Sequence, residues 1–135
     1  MKELTLDAQI DNLPSVLAFV DEIMEEHEVG MKTMMQIDIA VEELFVNIAS
    51  YAYAPDSGKA TVRVETEDNP NRIKITFIDT GTPYNPLEKE DPDITLSAEE
   101  RQTGGLGIFM VKKSMDDMAY EYCEGANILT VSKLI

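Results

Sequence analysis

The chain has 135 residues, 44% apolar and 27% charged, and its 11 basic and 26 acidic side chains leave a formal charge of −15. That length makes one domain, residues 1–135, with a core of its own, and that charge excludes generic binding to a nucleic-acid backbone or an anionic lipid surface. The single cysteine, Cys123, excludes an internal disulfide or a cysteine metal cluster; the start shows no apolar leader and no stretch approaches the ~20 apolar residues of a membrane span, so the expected location is the cytoplasm.

Residues 2–8 alternate, with Leu4 and Leu6 on one face against Glu3, Thr5 and Asp7, and predict a short strand suited to a sheet edge. Asp11 or Asn12 is placed to cap a helix that tolerates Pro14 in its first turn. Its core stripe is Leu13, Val16, Leu17, Val20, Ile23 and Met24, and its wet end is Glu25, Glu26 and Glu28. His27, the only histidine, falls among these acids at the surface, and Gly30 is the expected C-terminal stop.

A second helix is predicted over residues 32–53. At about 100° per residue, Ile37, Val41, Leu44, Ile48 and Ala52 form one apolar stripe, and Ile39, Val46 and Tyr53 a second on the opposite side. Such a helix is expected to pack on two sides. Between the stripes runs a ribbon of Ala40, Glu43, Asn47 and Ser50.

Residues 54–59 carry turn chemistry. Strands are predicted over 60–67 and 72–79, joined by a turn at Asn69-Pro70-Asn71, and the short connection makes them an antiparallel hairpin. Residues 82–103 then lose all periodicity around Pro83, Pro86 and Pro92, as a functional lid or a disordered segment does. One helical turn at 97–101, capped by Ser97 with Glu100 three residues on, is the exception. Gly104-Gly105-Leu106-Gly107 opens a third helix with the stripe Ile108, Val111, Met115 and Met118. Residues 120–125 and 127–135 read as a last hairpin turning at Gly125-Ala126. With no repeating βαβ unit, this order predicts an α/β fold of the α+β two-layer sandwich kind: a mixed, mostly antiparallel sheet with helices on one face.

Three stretches carry candidate chemistry. Glu43 and Asn47, at i and i+4, share a helix face; a carboxylate there can accept a proton, and an amide oxygen is a hard ligand suited to Mg²⁺, although a solvated helix flank gives the same spacing. Glu42 points about 100° away, toward Asp38. Asp79-Thr80-Gly81 ends a strand: the carboxylate can accept from an exocyclic amine such as that of adenine, with Gly81 letting a flat ring approach, but Asp-x-Gly is also a common turn. The glycines at 104, 105 and 107 at a helix start make either an anion cradle or a hinge. In this order the three are a set of parts for Mg·ATP.

On these motifs the sequence resembles the GHKL superfamily of ATPases and kinases. Glu43–Asn47 stands where that family has its N box, Asp79–Gly81 its first glycine box and Gly104–Gly107 its second. AVEELFVNIASYAY, DTGTPYNP, GGLGIFMVKKSMDDMAYEY and NILTVSK are similar to the single-domain anti-sigma-factor serine-protein kinases. The resemblance implies a Bergerat-type ATP-binding fold with an ATP lid at 82–103 and Mg²⁺ and ATP as cofactors. It implies Glu43 as general base, Asn47 as the metal ligand, and Asp79 and Gly81 at the adenine with Thr130 in the ring pocket. Gly104, Gly105, Leu106 and Gly107 would hold phosphates. It further implies a sigma factor and a small anti-anti-sigma protein as partners, serine phosphorylation of the latter, and a homodimer. The alternative is a non-catalytic, ATP-gated protein-binding module. The sequence departs from the family pattern at Tyr51, where a histidine often stands, and before the second glycine box, where Gln102-Thr103 replace a basic residue.

Overall fold

The computed structural model describes residues 1–68, 71–88 and 105–135. The expected turn at 69–70, the helical turn at 97–101, the lid beyond Glu88 and Gly104 lie outside the described residues. The elements in order are β1 (Lys2–Asp7), α1 (Leu13–Glu26), α2 (Met31–Asn47), β2 (Lys59–Glu67), β3 (Arg72–Asp79), α3 (Gly105–Ser114), β4 (Asp117–Cys123) and β5 (Ala126–Leu134).

Strict alternation builds the sheet. Ala60, Val62 and Val64 of β2, Ile73, Ile75 and Phe77 of β3, and Leu129 and Val131 of β5 are buried. The five strands lie in the order β1-β2-β3-β5-β4, with β1 on an edge as its length suggested. Every neighbouring pair is antiparallel, so the sheet is antiparallel throughout rather than mixed. The three helices bury Val16, Val20, Met24, Ile37, Leu44, Phe45, Ile108 and Val111 in one core with that sheet face. The other face carries polar pairs: the Thr5 and Thr61 hydroxyls at 2.9 Å, those of Thr76 and Thr130 at 3.3 Å, and Arg63 with Glu3 at 2.8 Å.

Several local expectations are corrected. Gly30 does not end α1. Glu28 takes the left-handed conformation, φ 55°, while Gly30 is extended at φ −64° and precedes α2. The cause is the closing bond pattern: Glu28 N–H donates to Glu25 O and Val29 N–H to Met24 O, both at 3.1 Å. These bonds require a left-handed residue directly after His27, two positions before the glycine. Glu28→Gly is therefore expected to raise stability by about 0.5–1 kcal/mol, read as a higher urea midpoint at unchanged slope. The last hairpin turns at Glu124-Gly125, which take φ 51° and 81°, rather than at Gly125-Ala126. β4 begins at Asp117, so Met118 is a strand residue rather than the end of a helical stripe. Asn12 makes no side-chain cap; its amide donates to Asp7 O at 2.8 Å.

On α2 the first stripe is buried as predicted at Ile37, Val41, Leu44 and Ile48, but the second packs only in part: Val46 is half-buried and Tyr53 lies against the core, while Ile39 is 51% exposed. Beyond Asn47 the helix widens into one π turn, Ile48–Ala52, so Tyr53 leaves the α phase the prediction assumed. Its hydroxyl donates to Lys59 O at 2.5 Å and accepts from Thr80 N–H at 2.9 Å.

Asp38 of α2 faces Asp21 of α1, and the Oδ1 atom of each is enclosed without a hydrogen-bond partner. Burial, then the hydrogen bond and the charge of Asp21, raise the Asp38 carboxyl from its ordinary 3.8 to about 7. A folded-state value raised above the unfolded one gives stability that is full below pH ~4 and lost as pH rises toward 7. Asp38→Asn is expected to remove this slope and to stabilise the protein at pH 8 by about 1 kcal/mol, after allowance for solvent screening at a half-buried group. Urea denaturation of both proteins from pH 5 to 8 tests it; parallel curves would refute it.

Candidate functional site

Glu43 and Asn47 lie one turn apart on α2, both half-buried, while Glu42 is exposed. Asn47 lines a cavity of about 240 Å³ between α2 and the ends of β3 and β5. Leu44, Ile48, Phe77 and Leu129 give it flat apolar surface, with Asp79 and Asn127 as polar points. Tyr51, Tyr84 and Tyr120 add an aromatic rim.

Asp79, the last residue of β3, is only 6% exposed. Its Oδ1 accepts from Gly81 N–H and from Asn127 Nδ2, each at 2.9 Å. Asn127 is the cross-strand partner of Asp79 in the β3–β5 ladder, so the pair is built by register. Gly81 is required by close approach of another kind than a ring: a Cβ there would stand 2.1 Å from Ala52 O, at the end of the π turn. Thr82 N–H donates to the same oxygen at 2.8 Å. The end of α2 and the end of β3 are thus fastened to each other.

Gly105 begins α3, Leu106 follows in its first turn, and Gly107 meets α2. A Cβ on Gly107 would lie 1.8 Å from Glu43 Oε1, so the carboxylate rests on the bare backbone of α3. The structure therefore brings together Glu43 with Gly107, and Asn47 with Asp79, along one side of α2. The N-terminal turn of α3, the positive end of its dipole, lies beside Glu43 at Gly107.

Thr130 is not in this cavity. It pairs with Thr76 and Ala119 on the opposite face of the sheet, where its hydroxyl meets that of Thr76. Strand alternation explains the correction: Leu129 and Val131 face the core, so Thr130 between them faces away and Asn127 faces in. The residue missed is Asn127, 6% exposed. The same alternation in NILTVSK was the signal that could have found it.

The sequence profile of the histidine kinase-like ATPase domain matches residues 6–133. The chain belongs to the histidine kinase-like ATPase domain family. Within this family it is similar to the serine/threonine-protein kinase BtrW of Bordetella bronchiseptica, at 21% identity over 129 residues, 96% of this chain and 90% of that protein. It is 30% identical to the serine-protein kinase RsbW of Bacillus mycoides over 100 residues, which are 71% of this chain and 61% of RsbW. Among solved structures, the RsbU and RsbW domains of Rv1364c from Mycobacterium tuberculosis share its fold with a TM-score of 0.68 and 18% identity, over 99% of this chain and 32% of that one. The histidine kinase domain of the blue-light activated kinase EL346 from Erythrobacter litoralis matches with a TM-score of 0.54 and 13% identity, over 90% and 60%. The chain thus spans about three fifths of the RsbW protein and a third of the fused mycobacterial chain. No helix among the described residues is long and apolar enough to cross a membrane.

Proposed function

We propose that this protein binds Mg·ATP in the cavity between α2 and β3 and phosphorylates a serine of a small anti-anti-sigma protein, while the ATP-bound form sequesters a sigma factor. The observation that carries the nucleotide part is the buried Asp79 acceptor at one end of an apolar cavity whose α2 wall presents Asn47. An apolar slot with a few fixed polar points is what a flat heterocycle requires. The kinase and sigma-factor parts are supported by similarity to BtrW and RsbW.

Each residue has a task in this reading. Asp79 accepts from the exocyclic amine of adenine, and Phe77 and Leu129 flank the ring. Asn47 offers one hard oxygen to Mg²⁺, which keeps most of its shell for water and phosphate. The metal, when bound with the nucleotide, neutralises phosphate charge. That help matters here, because a chain of −15 repels a polyphosphate. The first turn of α3, at Gly105 and Gly107, adds backbone N–H groups. Glu43 takes the proton of the attacking serine hydroxyl as the new O–P bond forms; the bond between the γ-phosphorus and its bridging oxygen breaks, and ADP leaves with that electron pair. Sigma-factor control makes the protein a regulator of transcription in the cytoplasm, working as a homodimer.

Titration with ATP, with and without Mg²⁺, tests the binding step. The melting temperature is expected to rise with ligand by mass action, reaching about 2.7 kcal/mol of stabilisation at a hundred times Kd, and more steeply with the metal. A flat response would sink the proposal. Incubation with γ-labelled ATP and the candidate partner then separates a kinase from a module that binds and transfers nothing.

A further inference from the structure

Asn127 has no hydrogen-bonding capacity left over. Its Nδ2 donates to Asp79 Oδ1 at 2.9 Å and to Thr82 O at 3.0 Å. Its Oδ1 accepts from Tyr84 N–H at 3.1 Å and from the Tyr120 hydroxyl. Two N–H groups and two lone pairs are all that an amide offers. The four partners sit on the end of β3, on the segment that follows it and on β4. Turning the amide over would set acceptor against acceptor at Asp79 and Thr82 and donor against donor at Tyr84 N–H, with only the Tyr120 hydroxyl able to adapt, so its orientation is fixed. The Tyr120 hydroxyl stays protonated and so can donate: burial raises its pKa above the ordinary 10.0, a backbone hydrogen bond from Tyr84 offsets part of that rise, and the charge of Asp79 adds to it.

The consequence falls on Asp79. Gly81 N–H and Asn127 Nδ2 both bond Oδ1, and among the described residues no donor meets Oδ2. We infer that Asn127 is a positioning residue for nucleobase choice: by occupying Oδ1 and fixing the carboxylate plane, it presents Oδ2 as an acceptor and makes the cavity prefer a 6-amino over a 6-oxo purine nucleotide. The inference rests on the nucleotide reading above. The same amide also pins Thr82 and Tyr84, both at the cavity, so one residue sets the acceptor and the wall beside it. Threonine at this position would supply one hydroxyl for four contacts, and leucine none.

The test is Asn127→Asp, which keeps the shape and removes both donors. Dissociation constants for ATP and inosine triphosphate are measured calorimetrically at pH 6 and pH 8. Wild type is expected to prefer ATP by a ratio that does not change between the two. In the variant the preference should fall at least tenfold at pH 8, where two adjacent carboxylates repel. It should recover in part at pH 6, where they share a proton that replaces the lost N–H. Equal losses of affinity for both nucleotides, with the ratio within twofold of wild type at both pH values, would reduce Asn127 to a structural residue and overturn the inference. If the variant does not fold, Tyr120→Phe removes one donor to Asn127 and leaves Asp79 untouched. It should lower the preference two- to fivefold, and an unchanged ratio would count against the inference equally. Wild type that binds both nucleotides alike would refute base selection and leave nucleotide binding standing. Wild type that binds neither would end both.

Discussion

Glu43→Ala is expected to leave ATP affinity within about threefold of wild type and to slow phosphate transfer to the protein partner by roughly 10²–10⁴, the usual worth of a positioned general base. The separation follows from placement: the cavity is lined by Asn47 and Asp79, and Glu43 stands one helical turn away, against α3. Gly107→Ala approaches the same carboxylate from the other side. The new methyl would occupy the space of Glu43 Oε1, and because a carboxylate tip on a flexible stem can swing aside, the fold survives. Alanine is moreover the better helix former by about 1 kcal/mol. The variant should melt no lower than wild type and still lose about 10²-fold in transfer, since displacement by about 1 Å is enough to cost that much. Glu42→Ala, on the exposed side of α2, is the control and should change neither. The measurement is single-turnover transfer from γ-labelled ATP beside a binding titration. Normal transfer by Glu43→Ala would mean that the base is elsewhere.

Asp79→Asn should have the opposite signature, with binding lost rather than chemistry. The amide oxygen of the new side chain would face the two donors, Gly81 N–H and Asn127 Nδ2, and turn an NH₂ group toward the ligand. A donor would then meet the exocyclic amine of adenine. Losing a charge-assisted bond and gaining a mismatch costs about 2–3 kcal/mol, or roughly 30- to 150-fold in ATP affinity. Because the internal bonds to Oδ1 are kept, the melting temperature without ligand should change little. A variant that binds ATP as wild type does would remove Asp79 from base recognition.

The strands and helices were legible because their periods are clean. β3 was predicted to the residue, and α1, β2 and the α3 stripe through Met115 came from apolar spacing alone. The errors share a cause: backbone geometry that side-chain pattern does not encode. A glutamate adopts the left-handed conformation at 28 although a glycine stands two residues on, because the closing bonds of α1 fix the position. The second α2 stripe failed at Ile39, because helical spacing cannot tell an apolar residue that packs from one left in water. Thr130 is different. It was placed in the pocket by resemblance, while the parity of its own strand placed it outside. Asn127 was legible by that parity, but its network was not, since Tyr84 and Thr82 reach it from 40 or more residues away in sequence.

The π turn at Ile48–Ala52 sets a phase relation between the two ends of the cavity. Up to Asn47 the chain advances at the α-helical pitch; over the next turn it runs about one residue longer per revolution. That extra residue aims Ala52 O at Gly81 and Thr82. Deleting one residue between 48 and 52 would restore an ordinary helix and rotate its last carbonyls by about 100°, uncoupling Asn47 from Asp79 without altering either. The distance between the two ends is thus counted in residues, and a change of length in this stretch would reach both ends of the cavity at once.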